Sequence, residues 1–128
     1  MKRDMDLVRQ ILMVMEDHEH GFAPSPFEVA GYTEEVVGYH LTIMGEAGLV
    51  EVEPQTTFGS ASPTALAGRI TWEGHEFLAN VRNETVWSKV KSIVVAKGGS
   101  VSFEVLKFLV VETAKSTFLP GHPTLPQP

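Results

Sequence analysis

The sequence contains no cysteine among its 128 residues. A chain without thiols cannot form disulfides, hold zinc through thiolates or use a cysteine nucleophile. Long apolar runs are also missing, because Asp4, Asp6 and Arg9 interrupt the apolar beginning of the chain. This pattern predicts a helix in place of a signal peptide, and no run is long enough to cross a membrane. We therefore expect a soluble cytoplasmic protein.

Basic residues are missing from a long central segment. The net charge is −6 at pH 7 with histidine neutral, and no Lys or Arg occurs between Gln10 and Gly68. That segment carries only carboxylates, at Glu16, Asp17, Glu19, Glu28, Glu34, Glu35, Glu46, Glu51 and Glu53. Because nearby carboxylates repel phosphates, the charge distribution argues against nucleic-acid contact by this part of the chain.

The composition is that of one globular domain, with 43% hydrophobic and 20% charged residues. We place the domain at residues 1–118 and a proline-rich disordered tail at 119–128. Apolar residues at three- and four-residue spacing predict five helices. Thr33, Thr71 and Ser102 are typical helix caps. The predicted helices run over Asp4 to about Glu19, Thr33 to about Ala47, Trp72 to about Asn83, Thr85 to Lys97, and Phe103 to about Phe118.

Short strands are predicted between these helices. Alternation at Phe27 and Val29 favours a short strand before Gly31, although the capping-box pattern that begins at Ser25 also fits a single helical turn. Residues 49–53 alternate as a strand, residues 55–68 resemble a flexible excursion, and residues 69–71 return as a second strand. These segments together predict a β-hairpin with a long tip.

Three consecutive pieces resemble the winged-helix pattern of many bacterial regulators. A helix ends in Glu46-Ala47-Gly48-Leu49-Val50, a hairpin follows, and Ile70-Thr71-Trp72-Glu73-Gly74 opens the next helix. Gly74 would let that helix lie close to the sheet. The resemblance implies an α+β fold of winged-helix type (helix, short strand, helix, β-hairpin wing) with extra C-terminal helices.

Five segments in order resemble a family of small bacterial and phage proteins, the domain of unknown function 2513. They are MKRDMDLVRQIL, GYTEEVVGYHL, ITWEGHEFL, VWSKVK and GGSVSFEVLK, and the resemblance runs from Met1 to about Lys115. It implies a winged-helix-like fold and a bacterial or mobile-element origin, and it brings no known activity or catalytic residue. Apolar pairs at residues 94–95 and 110–111 stand where the family resemblance implies charge, which indicates an extra buried face.

The second helix would be the DNA-reading helix of a winged-helix protein. Its predicted outward face consists of Glu35, Gly38, Tyr39, Thr42, Gly45 and Glu46. None of these side chains is a basic or amide reader of base edges. The hairpin tip offers hydroxyl groups, with Arg69 near its base as the candidate wing contact. Groove binding by this helix is therefore disfavoured, and a DNA-binding transcription regulator is the alternative hypothesis, with the basic residues of the last two helices as its other route.

A protein-interaction module is the preferred interpretation. Gly38 and Gly45 are seven residues apart, and with Tyr39 beside them they suggest a flat face that another protein could approach. The last helix carries more apolar residues than one face can bury, which fits either a homodimer or an ordinary core. We expect a regulatory or accessory protein with a protein partner, including a second copy of itself.

Patterns of enzyme chemistry are incomplete. His75-Glu76 begins a zinc-protease motif whose second histidine is absent, so the ligand pair cannot form. His18 and His20 flank a helix end. We interpret them as part of a solvated turn in preference to a metal site. His40 is interpreted as a packed or hydrogen-bonded structural histidine, and Trp72 and Trp87 as core aromatics. We expect no enzyme activity, catalytic residue, cofactor or metal.

Overall fold

The computed structural model describes residues 1–119 and residue 121. Within these residues the chain forms five helices and one two-stranded antiparallel sheet, an α+β arrangement. The elements are α1 (Met5–Asp17), α2 (Glu34–Glu46), β1 (Val50–Pro54), β2 (Ala65–Ile70), α3 (Trp72–Val81), α4 (Glu84–Ala96) and α5 (Phe103–Phe118). The predicted tail lies largely outside the described residues. None of the helices described is long and apolar enough to span a bilayer.

The chain divides into two compact units, one formed by Met1–Leu78 and one that begins at Ala79. In the first unit α2 packs against both strands, and α1 packs against α2 and β2. The buried apolar side chains of this unit come mainly from α1, α2 and the ends of the strands, as expected for elements that each present one apolar face. They include Leu7, Ile11, Leu12, Leu41, Met44, Val50 and Ile70.

Polar side chains cap the helices where the sequence predicts them. Thr33 accepts from the Val36 amide at 3.3 Å, and Ser102 accepts from the Val105 amide at 3.2 Å. The Thr71 hydroxyl accepts from the Gly74 amide at 3.0 Å, so the predicted cap of α3 is also confirmed. These caps satisfy amides that have no partner inside the first helical turn. The start of α4 differs by one residue from the prediction, because Asn83 is its cap.

The hairpin has more regular structure than the sequence predicts. Val50 pairs with Ile70 and Pro54 pairs with Ala65, with an irregularity between Glu51 and Val52. The second strand therefore begins at Ala65, and the flexible excursion predicted over residues 55–68 is wrong for its last four positions. The loop is closed by the Gln55 amide, which donates to the Thr64 carbonyl at 2.9 Å.

The segment between α1 and α2 contains neither of the two elements considered for it. Residues 27–29 form no strand and no helical turn, so both predictions are wrong. The Ala23 amide donates to the Gly68 carbonyl at 2.7 Å, but no ladder continues from this bond. Pro24 and Pro26 lack the backbone N–H that a ladder or a helical turn would use. The predicted short strand before the second helix is thus absent.

In the second unit α4 packs against α5. Trp87 is buried, as predicted, whereas Trp72 at the start of α3 is 75% exposed and is not a core residue. The expected extra buried face also fails in part. Val110 is buried, but Val95 and Val111 are exposed. The apolar pairs thus leave apolar side chains on the surface of this unit.

Candidate functional site

Gly38 faces the chain's own hairpin loop. A Cβ atom placed on Gly38 would overlap the Thr64 hydroxyl oxygen and would lie 3.2 Å from the Thr64 Cβ. Gly38 is accordingly buried. The prediction that this glycine belongs to a free outward face is wrong, because the loop that closes the hairpin occupies the space.

Gly45 has the same role one heptad later. A Cβ atom there would lie 3.0 Å from a methyl group of Val52 in β1. Between the two glycines, the Thr42 hydroxyl donates a hydrogen bond to the Gly38 carbonyl at 3.0 Å. The hydroxyl therefore has its hydrogen-bond partner within α2. The small residues therefore let α2 approach the hairpin closely, and this part of the predicted interaction face is an internal contact.

The remaining residues of the predicted face lie at its edges. Tyr39 is half-buried with its ring edge-on to His40, at 6.0 Å between ring centroids. Glu35 is exposed and accepts a hydrogen bond from the Ser62 hydroxyl at 2.8 Å, while Glu46 is exposed at the end of the helix. Apart from Arg69, the charged groups that α2 and the hairpin expose to solvent are carboxylates. We call them the acidic surface: Glu34, Glu35, Glu46, Glu51 and Glu53.

Arg69 does not extend from the hairpin toward solvent as an unpaired cation. Its Nε donates to Oε2 of Glu51 at 2.8 Å, and its Nη2 donates to Oε1 at 2.8 Å. This bidentate geometry is the strongest form of a guanidinium–carboxylate pair. It follows from the register of the hairpin, which places Glu51 opposite Arg69. The candidate wing contact is therefore held by a carboxylate of the neighbouring strand.

A buried polar network joins α1 to α2. His40 is fully buried; its Nδ1 donates to the Val36 carbonyl at 2.9 Å and its Nε2 accepts from the Asp4 amide at 2.9 Å. The predicted structural role of His40 is thus confirmed. The Asp4 side chain caps α1 and also accepts from the Tyr32 hydroxyl at 3.3 Å. Burial and, after it, the Asp4 charge raise the pKa of Tyr32 above 10.0.

The histidines near the end of α1 form local contacts. His18 Nδ1 lies 2.9 Å from the Phe22 carbonyl oxygen, and His20 Nε2 lies 3.1 Å from a Glu19 carboxylate oxygen. Across residues 1–119 and 121, no group of three or more His, Asp or Glu side chains is arranged to hold a metal ion. Glu16, from α1, lies 3.9 Å from His75 on α3, the residue that begins the incomplete protease motif.

Cations and exposed apolar side chains concentrate in the second unit. Exposed lysines are Lys89 and Lys91 on α4 and Lys97 at its C-cap. On α5, Lys107 pairs with Glu104 at 2.8 Å and Lys115 pairs with Glu112 at 3.7 Å. The same helix exposes the apolar side chains of Val105, Phe108, Val111 and Phe118. The sequence indicates the excess of apolar residues on α5, but only the structure separates those that are buried from those that are not.

Comparison with known proteins gives a consistent result. The model of a family described as "Hypothetical protein (DUF2513)" matches residues 2–100. A protein of Haemophilus influenzae described as "Uncharacterized protein" is 34% identical over 110 residues, which cover 84% of this chain and 90% of that protein. No solved structure matches the chain with significance. Helix α5 lies beyond the residues that the family model matches.

Proposed function

We propose that this chain, which belongs to the DUF2513 family, is a small accessory or regulatory protein that acts through contacts with other proteins. The observation that carries the proposal is the pair between Arg69 and Glu51. Arg69 is the only Lys or Arg between Gln10 and Val81. That pair offsets its charge, and the carboxylates of α2 and the hairpin outnumber this one cation.

The order of α2, hairpin and α3 supports a winged-helix type of arrangement for the first unit. In such an arrangement the second helix and the hairpin are the parts that meet DNA. Affinity for a duplex comes largely from Lys and Arg on phosphates, and here the acidic surface would add repulsion instead. A basic surface of another protein is the kind of partner that these carboxylates suit. We assign the protein no catalytic role.

A DNA-binding transcription regulator is the second candidate function. The observation in its favour is the set of exposed lysines on α4, of which Lys89 and Lys91 are two residues apart. In this hypothesis the second unit supplies the phosphate contacts, and the acidic surface takes no part in them.

An electrophoretic mobility shift with a random-sequence duplex at low salt separates the two functions. Non-specific binding by DNA-binding proteins has dissociation constants of about 1–100 µM, so we expect no shift over that range. The wild-type chain is compared with the double variant Lys89→Gln/Lys91→Gln and with Lys2→Gln as a matched control. A shift that the double variant loses and the control keeps would overturn the proposal in favour of the second candidate.

A further inference from the structure

The face of α5 opposite its buried residues is exposed and largely apolar. Leu106, Val110, Thr113 and Ala114 are buried on one side of the helix. On the other side Phe108 is 59% exposed, Val111 is 40% exposed and Phe118 is 50% exposed. Contiguous exposed apolar patches are a feature of interaction sites, whereas single exposed apolar residues are ordinary.

These exposed residues belong to one line along the helix, with alternating spacings of four and three. We call this line the α5 seam: Glu104, Phe108, Val111, Lys115 and Phe118. The spacing is that of the contact positions in a two-helix coiled coil, where each residue packs against a facing helix. The seam thus has the geometry for a helical partner. Its apolar centre lies between one acidic residue, Glu104, and one basic residue, Lys115.

Four residues of the α5 seam, Glu104, Phe108, Val111 and Lys115, are complementary to themselves when their order is reversed. In an antiparallel pair centred between Leu109 and Val110, Phe108 meets the partner's Val111, and Glu104 meets the partner's Lys115. The two-fold symmetry repeats both contacts. Every central layer then joins either two apolar side chains or two opposite charges.

A parallel pair of the same helices would be mismatched. Glu104 would meet the partner's Glu104, and Lys115 would meet the partner's Lys115, so that both charged layers would be repulsive. Polar residues at such contact positions are known to set orientation and register at some cost in stability. The charges of the seam therefore select one orientation.

We propose that two copies of this chain associate through antiparallel pairing of their α5 helices. The inference rests on the proposed function, action through protein contacts, and names a second copy of the chain as one partner. Glu104 now pairs with Lys107 of its own helix, but the Glu104 side chain is 82% exposed in that pair. An exposed ion pair contributes little, so Glu104 can exchange it for a contact across the interface.

Light scattering of the full chain over a range of concentrations tests the association. We expect the mass to approach twice 14.0 kDa as the concentration rises. Phe108→Ser should remain monomeric at those concentrations. The control is Phe22→Ser, which removes another exposed phenylalanine, 73% exposed in the first unit, and should leave the dimer intact. Circular dichroism of each variant verifies that it is folded.

A charge exchange tests the orientation. Glu104→Lys alone and Lys115→Glu alone each place like charges across the antiparallel interface, which should raise the dimer dissociation constant at least ~10-fold. The double variant Glu104→Lys/Lys115→Glu should restore it. In a parallel pair each charged layer already joins two like charges. A single variant would only replace one like-charged pair by another, so the dissociation constant should not rise. A dimer dissociation constant that none of the three variants changes overturns the antiparallel pairing of the α5 seam.

A chain that stays monomeric at every concentration overturns the inference altogether. That failure is separate from failure of the proposed function, which the duplex experiment decides. A monomer that binds no duplex leaves action through another protein standing. A dimer that binds duplex overturns the proposed function and leaves the α5 pairing intact.

Discussion

The Thr64 side chain of the hairpin loop lies against Gly38 in α2, so close that there is no room between them for a methyl group. This contact explains why a glycine is found in the middle of a helix, where it costs about 1 kcal/mol relative to alanine. The helix loses intrinsic stability at this position and gains a close approach of the hairpin. Gly38 is therefore a packing residue of the first unit.

Gly38→Ala should lower the free energy of unfolding by about 1–2 kcal/mol, because overpacking outweighs the gain in helix propensity. Urea unfolding of the purified chain measures this change. Adding Thr64→Ala removes the hydroxyl that the new methyl group meets, and should recover part of the loss. Gly21→Ala is the control, since a Cβ atom placed there would meet no atom beyond its chain neighbours within 4 Å. A Gly38→Ala variant as stable as the wild type would contradict the close contact.

Gly74→Ala should be more damaging than Gly38→Ala. A Cβ atom on Gly74 would overlap the Leu49 carbonyl oxygen and lie 2.7 Å from a methyl carbon of Ile70. A backbone carbonyl cannot rotate away as a side chain can, so we expect a loss of about 3 kcal/mol. Thermal unfolding compares it with Glu76→Ala, an exposed change on the same helix that should cost less than about 0.5 kcal/mol. Equal effects of the two changes would count against a tight contact of Gly74 in α3 with Leu49 and Ile70.

His40→Leu should destabilise the fold through a lost hydrogen-bond acceptor. The Asp4 amide would lose its bond to Nε2 in a partly buried position. An amide left unsatisfied in this way costs about 1–3 kcal/mol. His20→Leu is the matched control, because that side chain is 73% exposed. If urea unfolding gives the same free energy for both variants, the buried network contributes nothing to stability.

The raised pKa of Tyr32 makes a prediction at high pH. Burial and the neighbouring Asp4 charge disfavour the phenolate in the folded chain more than in the unfolded chain. The stability that depends on the neutral phenol is therefore present below pH 10.0 and is lost as the pH rises through the raised pKa. Folded stability should fall over this window.

Ultraviolet titration of the phenolate measures the pKa directly. In a Tyr39→Phe background Tyr32 is the one remaining tyrosine. Its midpoint should lie above 10.0, and Asp4→Asn should move it back toward 10.0. Asparagine still caps a helix, so α1 should persist in this variant. A midpoint that Asp4→Asn does not move would show that the Asp4 charge has no part in the shift.

Local signals in the sequence predict much of the fold. A cap such as Thr33 or Ser102 acts on an amide three residues away, so the pattern that predicts the helix also contains the contact. The same holds for Thr71, whose hydroxyl accepts from the amide of Gly74, three residues later. The alternation around Phe27 is a weaker signal. A pattern of only a few residues also occurs in irregular chain, so it does not specify a strand.

The surface of α2 could not be predicted in the same way. A helical wheel shows which residues share a face, but a glycine on that face has no side chain to indicate whether the face is buried. The residue that covers Gly38 is Thr64, far along the chain in a loop whose course depends on the hairpin register. The pairing of Arg69 with Glu51 depends on the same register. The charge pattern predicts an acidic segment, and the structure shows that Arg69, the first cation after it, pairs with Glu51.

The most direct test of action through proteins in place of DNA is the dissociation constant for a random duplex, measured by fluorescence anisotropy over a series of salt concentrations. The proposed function predicts no measurable binding even at the lowest salt. Micromolar binding, with an affinity that falls steeply as salt rises, would show that several lysines or arginines contact phosphates and would contradict it.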